Sequence, residues 1–194
     1  MDTQPLFEYI ANYITLTSEE ESNIIAKTKQ RKYLKRQYVV QQGDICKYLS
    51  FVQSGCLRTF HIDKDGQEHI IRFALENWWT ADLGSFISQT PADCNVQCLE
   101  NTEVIQFSNE NLQQLYAEIP KLERFFRIIF QNAFTASEKR VIRNFSLSAK
   151  ECYLLFQEQY PQIEQRVPQY MIASYLGITK EFLSKIRSQL MHEQ

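Results

Sequence analysis

Long hydrophobic runs are missing from this sequence of 194 residues. No stretch approaches the roughly 18 consecutive apolar residues of a membrane-spanning helix, and the first residues lack the basic and apolar segments of a signal peptide. Glycine and proline are scarce, at five residues each, which argues against fibrous repeats and long disordered segments. We therefore expect a folded, cytoplasmic protein with one domain and a smaller second one.

The cysteines are too few and too widely spaced along the chain to indicate structural disulfide bonds. The chain has five cysteines, and an odd number without a secretion signal does not favour a disulfide framework. Cys94 and Cys98 are the nearest pair, but no second Cys or His pair follows at the spacing of a zinc site. We predict neither a metal ion nor a cofactor.

The motifs of the common enzyme classes are absent as well. No Ser/His/Asp set, glycine-rich phosphate loop or nucleotide fingerprint is present. His61 and His69 flank one predicted hairpin with Glu68 beside them, so they could face each other across two strands and hold a metal ion. The His-x-His or His-x-Asp/Glu pair of roll-type oxygenases is missing, and we predict that the protein is not an enzyme.

Charge is distributed unevenly around a net value of -2. Residues 1–138 hold 13 Lys and Arg against 18 Asp and Glu, whereas residues 139–194 hold 8 against 5. The basic C-terminal part favours a polyanion as its partner, although an excess of three positive charges does not decide the matter alone.

The hydropathy pattern changes its period twice along the chain. The first thirty residues have helical spacing, with Thr17 and Glu20 placed for a capping box. Over 33–107, short segments rich in β-branched and aromatic residues alternate with turns, and the turn at Gly66 joins a hairpin. After residue 109 helical spacing returns. The pattern predicts an α+β protein in which an antiparallel β-roll or sandwich is followed by helices.

Pro120 marks the start of a long predicted helix with a broad apolar stripe. The stripe consists of Leu122, Phe125, Phe126, Ile129, Phe130 and Ala133. Two interpretations remain open: burial against the β part of the same chain, or pairing with the same helix of a second subunit. The second would make these six residues the dimer interface. A further helix is predicted over 148–160, ended by Pro161 and followed by a short connector to Pro168.

Residues 169–188 read QYMIASYLGITKEFLSKIRS and fit a helix-turn-helix. Ala173 is small where two helices touch, Gly177 suits the tight turn, and Thr179 can cap the second helix. Pro168 can open the first helix. The shared apolar core of the pair would consist of Ile172, Leu176, Ile178, Leu183 and Ile186.

The polar residues of this motif have the chemistry of DNA recognition. Lysine can donate to guanine edges or phosphates, glutamate can accept from the cytosine amino group, and hydroxyl groups can reach phosphates or bases. We predict a DNA interface at Gln169, Tyr170, Thr179, Lys180, Glu181, Ser184, Lys185, Arg187 and Ser188. The alternatives are an ordinary amphipathic helix pair with a solvated charged face, and a protein-interaction module that does not bind DNA.

The order of these elements, with the C-terminal stretch VPQYMIASYLGITKEFLSKIRSQL, resembles the Crp/Fnr family of bacterial transcription regulators. The Gly43-Asp44 and Ser54-Gly55 turns resemble the family's G-D and S-G turns. The resemblance implies double-stranded DNA, a second copy of the chain and RNA polymerase as partners. Family base contacts carry over to Lys180, Glu181 and Lys185, where relatives often have Arg, Glu and Arg. Lysine lacks the planar guanidinium fork, which makes bidentate guanine recognition less secure.

The resemblance also implies a division of the chain into three parts. A cyclic-nucleotide-binding-like β-roll with N-terminal helices would occupy 1–111, and a helical linker with the dimerisation helix would occupy 112–144. A winged-helix-like DNA-binding domain would occupy 145–194. Because the sequence stops at Gln194, the wing is expected to be shortened or missing.

A cyclic nucleotide is not the expected effector. Family members that bind one have a Gly-Glu pair and a later Arg-Ser or Arg-Thr, whereas this chain has Ala81-Asp82 and no arginine in residues 91–96. A buried phosphate would then lack a cation to offset its desolvation. The iron–sulfur branch needs clustered N-terminal cysteines, and the first cysteine here is Cys46. The effector stays unknown. Its candidate pocket lies near Trp78, Trp79, Asp82 and Ser85, with core packing of the tryptophans as the alternative.

Overall fold

The structure is a computed structural model that describes residues 2–192. It begins with two helices, α1 (Gln4–Ala11) and α2 (Ser18–Ala26). The predicted capping box is present at the start of α2: the Thr17 hydroxyl accepts a hydrogen bond from the Glu20 amide, and the Glu20 carboxylate accepts one from the Thr17 amide. Leu6 of α1 and Ile24 of α2 are fully buried in the core of the sheets that follow.

Within residues 2–192, two four-stranded antiparallel sheets form the β-roll, which confirms the predicted fold class. The strands are β1 (Thr28–Tyr33), β2 (Tyr38–Val40), β3 (Tyr48–Ser54), β4 (Leu57–Ile62), β5 (Glu68–Ala74), β6 (Trp79–Thr80), β7 (Asn95–Cys98) and β8 (Thr102–Ser108). One sheet has the order β1-β8-β3-β6 and the other the order β2-β7-β4-β5. The helix α3 (Leu83–Ser88) connects them, and apolar side chains of both sheets share one core.

Strands β4 and β5 form the predicted hairpin, with a bulge that the sequence pattern did not indicate. Thr59 pairs with Arg72 and Phe60 pairs with Ile70, so Ile71 is an extra residue in β5. The bulge shifts the alternation of side chains along the strand. Ile70 is therefore buried in a cluster with the C-terminal helices, while Arg72 donates a hydrogen bond to the carbonyl of Ala81, at the end of β6.

The turn between β3 and β4 requires glycine at position 55. Gly55 has a φ of +101°, and a Cβ atom there would lie 2.5 Å from Thr102 Oγ1 and 2.8 Å from the Asn101 carbonyl oxygen. We expect Gly55→Ala to lower the free energy of unfolding by about 2–4 kcal/mol, because the unfavourable φ adds to displacement of backbone atoms.

The control for this substitution is Gly66→Ala, because Gly66 also has a positive φ, +81°, but no atom lies within 4 Å of a Cβ there. We expect the control to cost only about 1–2 kcal/mol in urea unfolding. Equal losses at the two positions would show that contact with residues 101 and 102 is not what requires glycine.

Two helices follow the roll, α4 (Asn109–Glu118) and α5 (Lys121–Ser146), and α5 starts after Pro120 as predicted. The first half of α5 packs onto the roll. Its Phe126 ring lies 5.2 Å from the ring of Trp79, centroid to centroid, in an edge-to-face arrangement. This packing attaches the long helix firmly to the β part of the same chain.

The packing of α5 corrects the predicted dimer contacts. Leu122, Phe125, Phe126 and Ile129 are buried inside their own subunit, so their side chains cannot contact a second one. Of the other two predicted contacts, Phe130 is half-buried beside them and Ala133 is exposed. The large exposed apolar side chains of α5 lie elsewhere, at Phe134, Val141, Ile142 and Phe145.

The described part of the chain ends with α6 (Ala149–Gln159), α7 (Pro161–Arg166), α8 (Gln169–Leu176) and α9 (Lys180–His192). The predicted connector before Pro168 is therefore wrong, because α7 occupies most of it; Pro161 starts this helix, since its fixed φ suits a first turn. The expected shortened or missing wing would begin beyond α9, outside the described residues. No helix in 2–192 is both long enough and apolar enough to cross a bilayer.

Candidate functional site

Helices α8 and α9 form the predicted helix-turn-helix. Gly177 ends α8 with a φ of +70°, a left-handed conformation that glycine adopts without steric cost. The Ile178 amide donates to the Ala173 carbonyl across the turn at 3.0 Å. Thr179 Oγ1 accepts a hydrogen bond from the Phe182 amide at 3.2 Å and caps α9. These local contacts place α9 relative to α8.

The outer face of α9 is polar and exposed. The exposed residues on it are Lys180, Glu181, Ser184, Lys185 and Ser188. Arg187 is half-buried, and Leu183 and Ile186 on the opposite face are buried. None of the six polar side chains forms a hydrogen bond or an ion pair with any residue in the described range. Their donors and acceptors are therefore available to a partner molecule.

The other three predicted interface residues are exposed too. Gln169 and Tyr170 lie in the first turn of α8, and Thr179 lies in the turn before α9. Because the Thr179 hydroxyl accepts from the α9 backbone, its contribution to an interface would be to fix the start of the helix. Their contact with DNA stays a prediction.

The helix-turn-helix docks against strand β5 of the roll. Ser174 Oγ of α8 accepts from the Ile70 amide at 3.0 Å and donates to the Glu68 carbonyl at 3.1 Å. Arg140 of α5 donates to carbonyls of β5 and, at 2.9 Å, to the Tyr175 carbonyl of α8, and its guanidinium carbon lies 4.0 Å from the centre of the Tyr175 ring. One arginine thus joins the roll, the long helix and the helix-turn-helix.

A second link between the C-terminal helices and the roll is an ion-pair cluster around Arg166 of α7. Its guanidinium contacts the Glu76 carboxylate at 2.7 and 2.9 Å and the Glu100 carboxylate at 2.6 and 3.0 Å. The Gly55 amide also donates to Glu76, at 2.8 Å. Hydrogen bonding to Arg166 lowers the pKa of Glu76 below its usual range, against the opposing effect of partial burial.

This cluster predicts a pH-dependent stability. We expect Arg166→Met to lower the free energy of unfolding near neutral pH by about 1–3 kcal/mol, because it removes charged hydrogen bonds and leaves two carboxylates together. Since the folded-state pKa of Glu76 lies below its unfolded value, the contribution is complete above that unfolded value of 4.5 and is lost as the pH falls through the folded pKa.

Urea unfolding of both proteins at pH 6 and pH 3 checks this expectation. The difference between wild type and Arg166→Met should shrink at the lower pH. Arg124→Met is the matched control, because Arg124 is exposed on α5 without an ion pair in the described part of the chain, and it should change little at either pH. A difference for Arg166→Met that is independent of pH would contradict the assignment to Glu76.

The candidate effector pocket is only partly as predicted. Trp78 and Trp79 line a cavity between the roll and α5, but Asp82 and Ser85 do not. The Asp82 carboxylate caps α3 by accepting from the Ser85 amide at 3.0 Å, and it also accepts from the Cys94 amide at 2.9 Å. The prediction that Asp82 and Ser85 line the effector pocket is therefore wrong. Their polar atoms form hydrogen bonds with backbone groups of the α3 region and do not face the cavity.

Arg72 is the cavity residue that sequence reasoning missed. It lies inside the apolar run of β5, and it lines the cavity together with the two tryptophans. The available signal was a lone charged residue among Ile70, Ile71, Phe73 and Ala74. Burial lowers the pKa of Arg72, and Cys94, Asp82 and Cys46 nearby oppose this effect.

The two histidines of the rival enzyme hypothesis are opposite each other in β4 and β5, as predicted, but each has its own partner. His61 Nδ1 lies 2.7 Å from the Asp93 carbonyl oxygen, and His69 Nε2 lies 2.7 Å from the Asp63 carboxylate. Glu68 pairs with Arg58. Over residues 2–192, no group of three or more His, Cys, Asp or Glu side chains could hold a metal ion.

Comparisons with known proteins address the family. A sequence profile described as cyclic nucleotide-binding domain matches residues 30–118. The transcriptional activator protein anr of Pseudomonas aeruginosa is 26% identical over 187 residues, covering 89% of this chain and 75% of that protein. The chain is thus similar to transcription regulators of the Crp/Fnr type. The transcriptional activator protein FnrA of Stutzerimonas stutzeri is 27% identical over 169 residues, covering 80% of this chain and 68% of that protein.

Solved structures of transcription regulators share the fold of this chain over most of its length. The c-di-GMP responsive global regulator CLP of Xanthomonas campestris has a TM-score of 0.75 at 17% identity, with 91% of this chain and 93% of that chain covered. FixK2 from Bradyrhizobium japonicum has a TM-score of 0.73 at 18% identity, with 86% and 85% covered. At these identities the likeness concerns the fold.

Proposed function

We propose that this protein is a sequence-specific DNA-binding transcription regulator of the Crp/Fnr type that acts as a homodimer. The observation that carries the proposal is the exposed polar face of α9, which follows the Gly177 turn and the Thr179 cap and has no partner inside the described chain. In a helix-turn-helix the second helix enters the major groove. Lys180, Glu181 and Lys185 then read bases or contact phosphates.

The dimer forms through the exposed apolar residues of α5, which we call the α5 stripe: Phe134, Val141, Ile142 and Phe145. At 3.6 residues per turn, the α5 stripe lies about 150° around the helix from the side that is buried against the roll. Its members are 52–87% exposed, and such a group of large apolar side chains on one helix is typical of an interaction surface. A two-fold axis along α5 places two α9 helices on successive major grooves, about 34 Å apart.

The regulator does not require a cyclic nucleotide. The carboxylate of Asp82, which stands at the position of the family's ribose-binding glutamate, accepts two backbone amides and is committed to the α3 region. We propose the three-part division into 1–111, 112–144 and 145–194, and RNA polymerase as a further partner. The names of the relatives, which describe transcriptional activators, support the latter.

Selection of bound sequences from a random DNA pool at near-physiological salt tests the proposed function. We expect enrichment of an inverted repeat whose half-sites are one helical turn apart. Binding to the selected duplex should weaken steeply as salt rises, because lysine and arginine contacts release counterions from the phosphates. Failure to enrich any motif, or binding that salt does not weaken, contradicts DNA binding and favours a protein-interaction module. A motif without inverted symmetry contradicts the dimer.

A further inference from the structure

A cavity of about 820 Å³ lies between the roll, α5 and the C-terminal helices. Its size is within the range of small-molecule sites, about 300–1,000 Å³. The α5 residues that line it extend from Ile129 to Asn144, which corresponds to about 22 Å along the helix axis. Much of the wall is apolar, including Leu49, Trp78 and Phe156. The cavity is therefore elongated and suits a ligand with a long apolar body.

The charges around the cavity all have one sign. Among residues 2–192, its lining includes Arg72, Lys139, Arg140 and Arg143 and no aspartate or glutamate. Arg140 is already engaged by backbone carbonyls, and Arg143 donates to the Gln159 side chain at 3.2 Å. Lys139 is exposed at the outer rim. Arg72 of β5 is the cation on the roll side of the cavity. A ligand group that lies beside it is therefore favoured when it is negatively charged.

The guanidinium of Arg72 is incompletely satisfied. Its Nη2 donates to the Ala81 carbonyl, whereas its Nε is enclosed and has no hydrogen-bond partner within residues 2–192. It forms no ion pair in direct contact with a carboxylate of the described residues, although Asp82 lies near enough to favour its charged form. A buried guanidinium N–H without a hydrogen-bond partner is costly, and such groups are rare in folded proteins.

Two further buried polar atoms near Arg72 also lack a hydrogen-bond partner in the described residues. Trp79 Nε1 and Thr80 Oγ1 are buried without a hydrogen-bond partner in the described part of the chain, and both residues line the cavity with Arg72. Together with Arg72 Nε, these are the three buried side-chain atoms without a partner that the described residues contain. All three atoms belong to residues that line the same cavity. Its roll side therefore has unused hydrogen-bond donors next to apolar side chains.

We propose that this cavity binds an organic carboxylate with an extended apolar body, with Arg72 holding the carboxylate and the body lying along α5. The Nε of Arg72 is without a hydrogen-bond partner in the described residues, and a planar carboxylate matches the geometry of a guanidinium. A nucleotide is the competing ligand, because amide and hydroxyl groups of the lining, such as Asn132 and Thr135, could accept hydrogen bonds from ribose hydroxyl groups. A medium-chain fatty acid has the required chemistry.

Such a ligand would contact several parts of the protein at once. The lining includes Phe73 of β5, Ala133 of α5, Leu155 of α6 and Tyr175 of α8. A ligand that prefers one relative position of these elements shifts the population toward that position. This regulatory role rests on the proposed DNA-binding function, whereas binding of the carboxylate does not depend on it.

Isothermal titration of the full chain with decanoate tests the proposal, with decanol as the neutral probe of the same chain length and cyclic AMP as the nucleotide probe. We expect decanoate to bind at one site per chain and to bind at least tenfold more tightly than either of the others. Equal binding of decanol, tighter binding of cyclic AMP, or no binding of decanoate at millimolar concentration overturns the proposal.

Two variants locate the site. Arg72→Met should weaken decanoate binding at least tenfold and leave decanol binding unchanged, whereas Arg124→Met on the exposed side of α5 should change neither. Ala133→Trp is the second variant, because Ala133 is exposed and lines the cavity, so a larger side chain there should block decanoate without disturbing the core. Unchanged decanoate affinity in Ala133→Trp overturns the assignment even if Arg72→Met does not fold.

The random-pool selection separates this proposal from the proposed function. An inverted repeat recovered from a protein that does not bind decanoate rejects the carboxylate site alone. Decanoate binding by a protein that selects no DNA motif rejects the regulator alone. If both hold, decanoate should change the affinity for the selected duplex at least threefold in wild type and not in Ala133→Trp.

Discussion

Alanine at both Lys180 and Lys185 should lower the affinity for the selected operator at least thirtyfold at near-physiological salt. A lysine that contacts a base or a phosphate contributes about 1–3 kcal/mol, and each substitution removes two contacts from a symmetric dimer. Both side chains are exposed on α9 and have no partner within the described chain, so their removal leaves the folded protein unchanged. Fluorescence anisotropy with labelled duplex measures the loss.

Salt dependence and a control variant make this result specific. The double variant should also have a shallower dependence of affinity on salt, because fewer counterions are released. Lys29→Ala removes an equally exposed lysine from β1 of the roll and should leave operator affinity within about twofold of wild type. Unchanged affinity in the α9 double variant, or an equal loss in Lys29→Ala, would remove α9 from the DNA interface.

Phe145→Asp should convert the dimer to a monomer at micromolar concentration. Phe145 is 87% exposed at the C-terminal end of the α5 stripe, and it would be buried against its counterpart in the second subunit. Burying an unpaired charge in an apolar interface costs several kcal/mol. Because the dimer is two-fold symmetric, one such charge is buried from each subunit. Sedimentation equilibrium should detect at least a hundredfold weaker association. Operator binding should weaken in parallel, since two half-sites need two linked subunits.

The control for the dimer experiment is matched in exposure. Ile142 of the α5 stripe and Ile87 of α3 are both 63% exposed, so Ile142→Asp and Ile87→Asp differ in location and not in burial. We expect dissociation from the first and a normal dimer from the second. A fully dimeric Ile142→Asp protein, together with a dimeric Phe145→Asp protein, would place the interface outside the α5 stripe.

The helix-turn-helix could be predicted from the sequence because its requirements are local. The left-handed conformation of Gly177, the small side chain of Ala173 and the capping hydroxyl of Thr179 all act within a few residues of their own position. The alternation of apolar strands and turns likewise indicated the β-roll, and the capping box at Thr17 marked the start of α2. Such signals depend on backbone geometry, which neighbouring residues in the sequence determine.

The choice between two surfaces of one helix could not be predicted in this way. The spacing of apolar residues on α5 is compatible with burial in the same chain and with a dimer interface, and the sequence left both open. Only the position of the roll decides that Phe126 is covered by Trp79 while Phe145 stays exposed. Burial depends on contacts between distant segments, which no spacing within a helix contains.

The lining of the cavity is the clearest example of a feature that depends on contacts between distant segments and could not be predicted from the sequence. Sequence comparison indicated that the family's phosphate-binding arginine is missing, and this led to the expectation that the roll offers no cation. The bulge at Ile71 and the pairing of Arg72 with Thr59 bring a different arginine to the cavity wall, from a strand rather than from the loop after α3. The sequence by itself determined the order of the β-roll, the long helix and the recognition motif, because these follow from local backbone preferences and periodicity. The tertiary structure decided which side chains are covered and which charges meet, because strand register and helix packing join residues far apart in the chain.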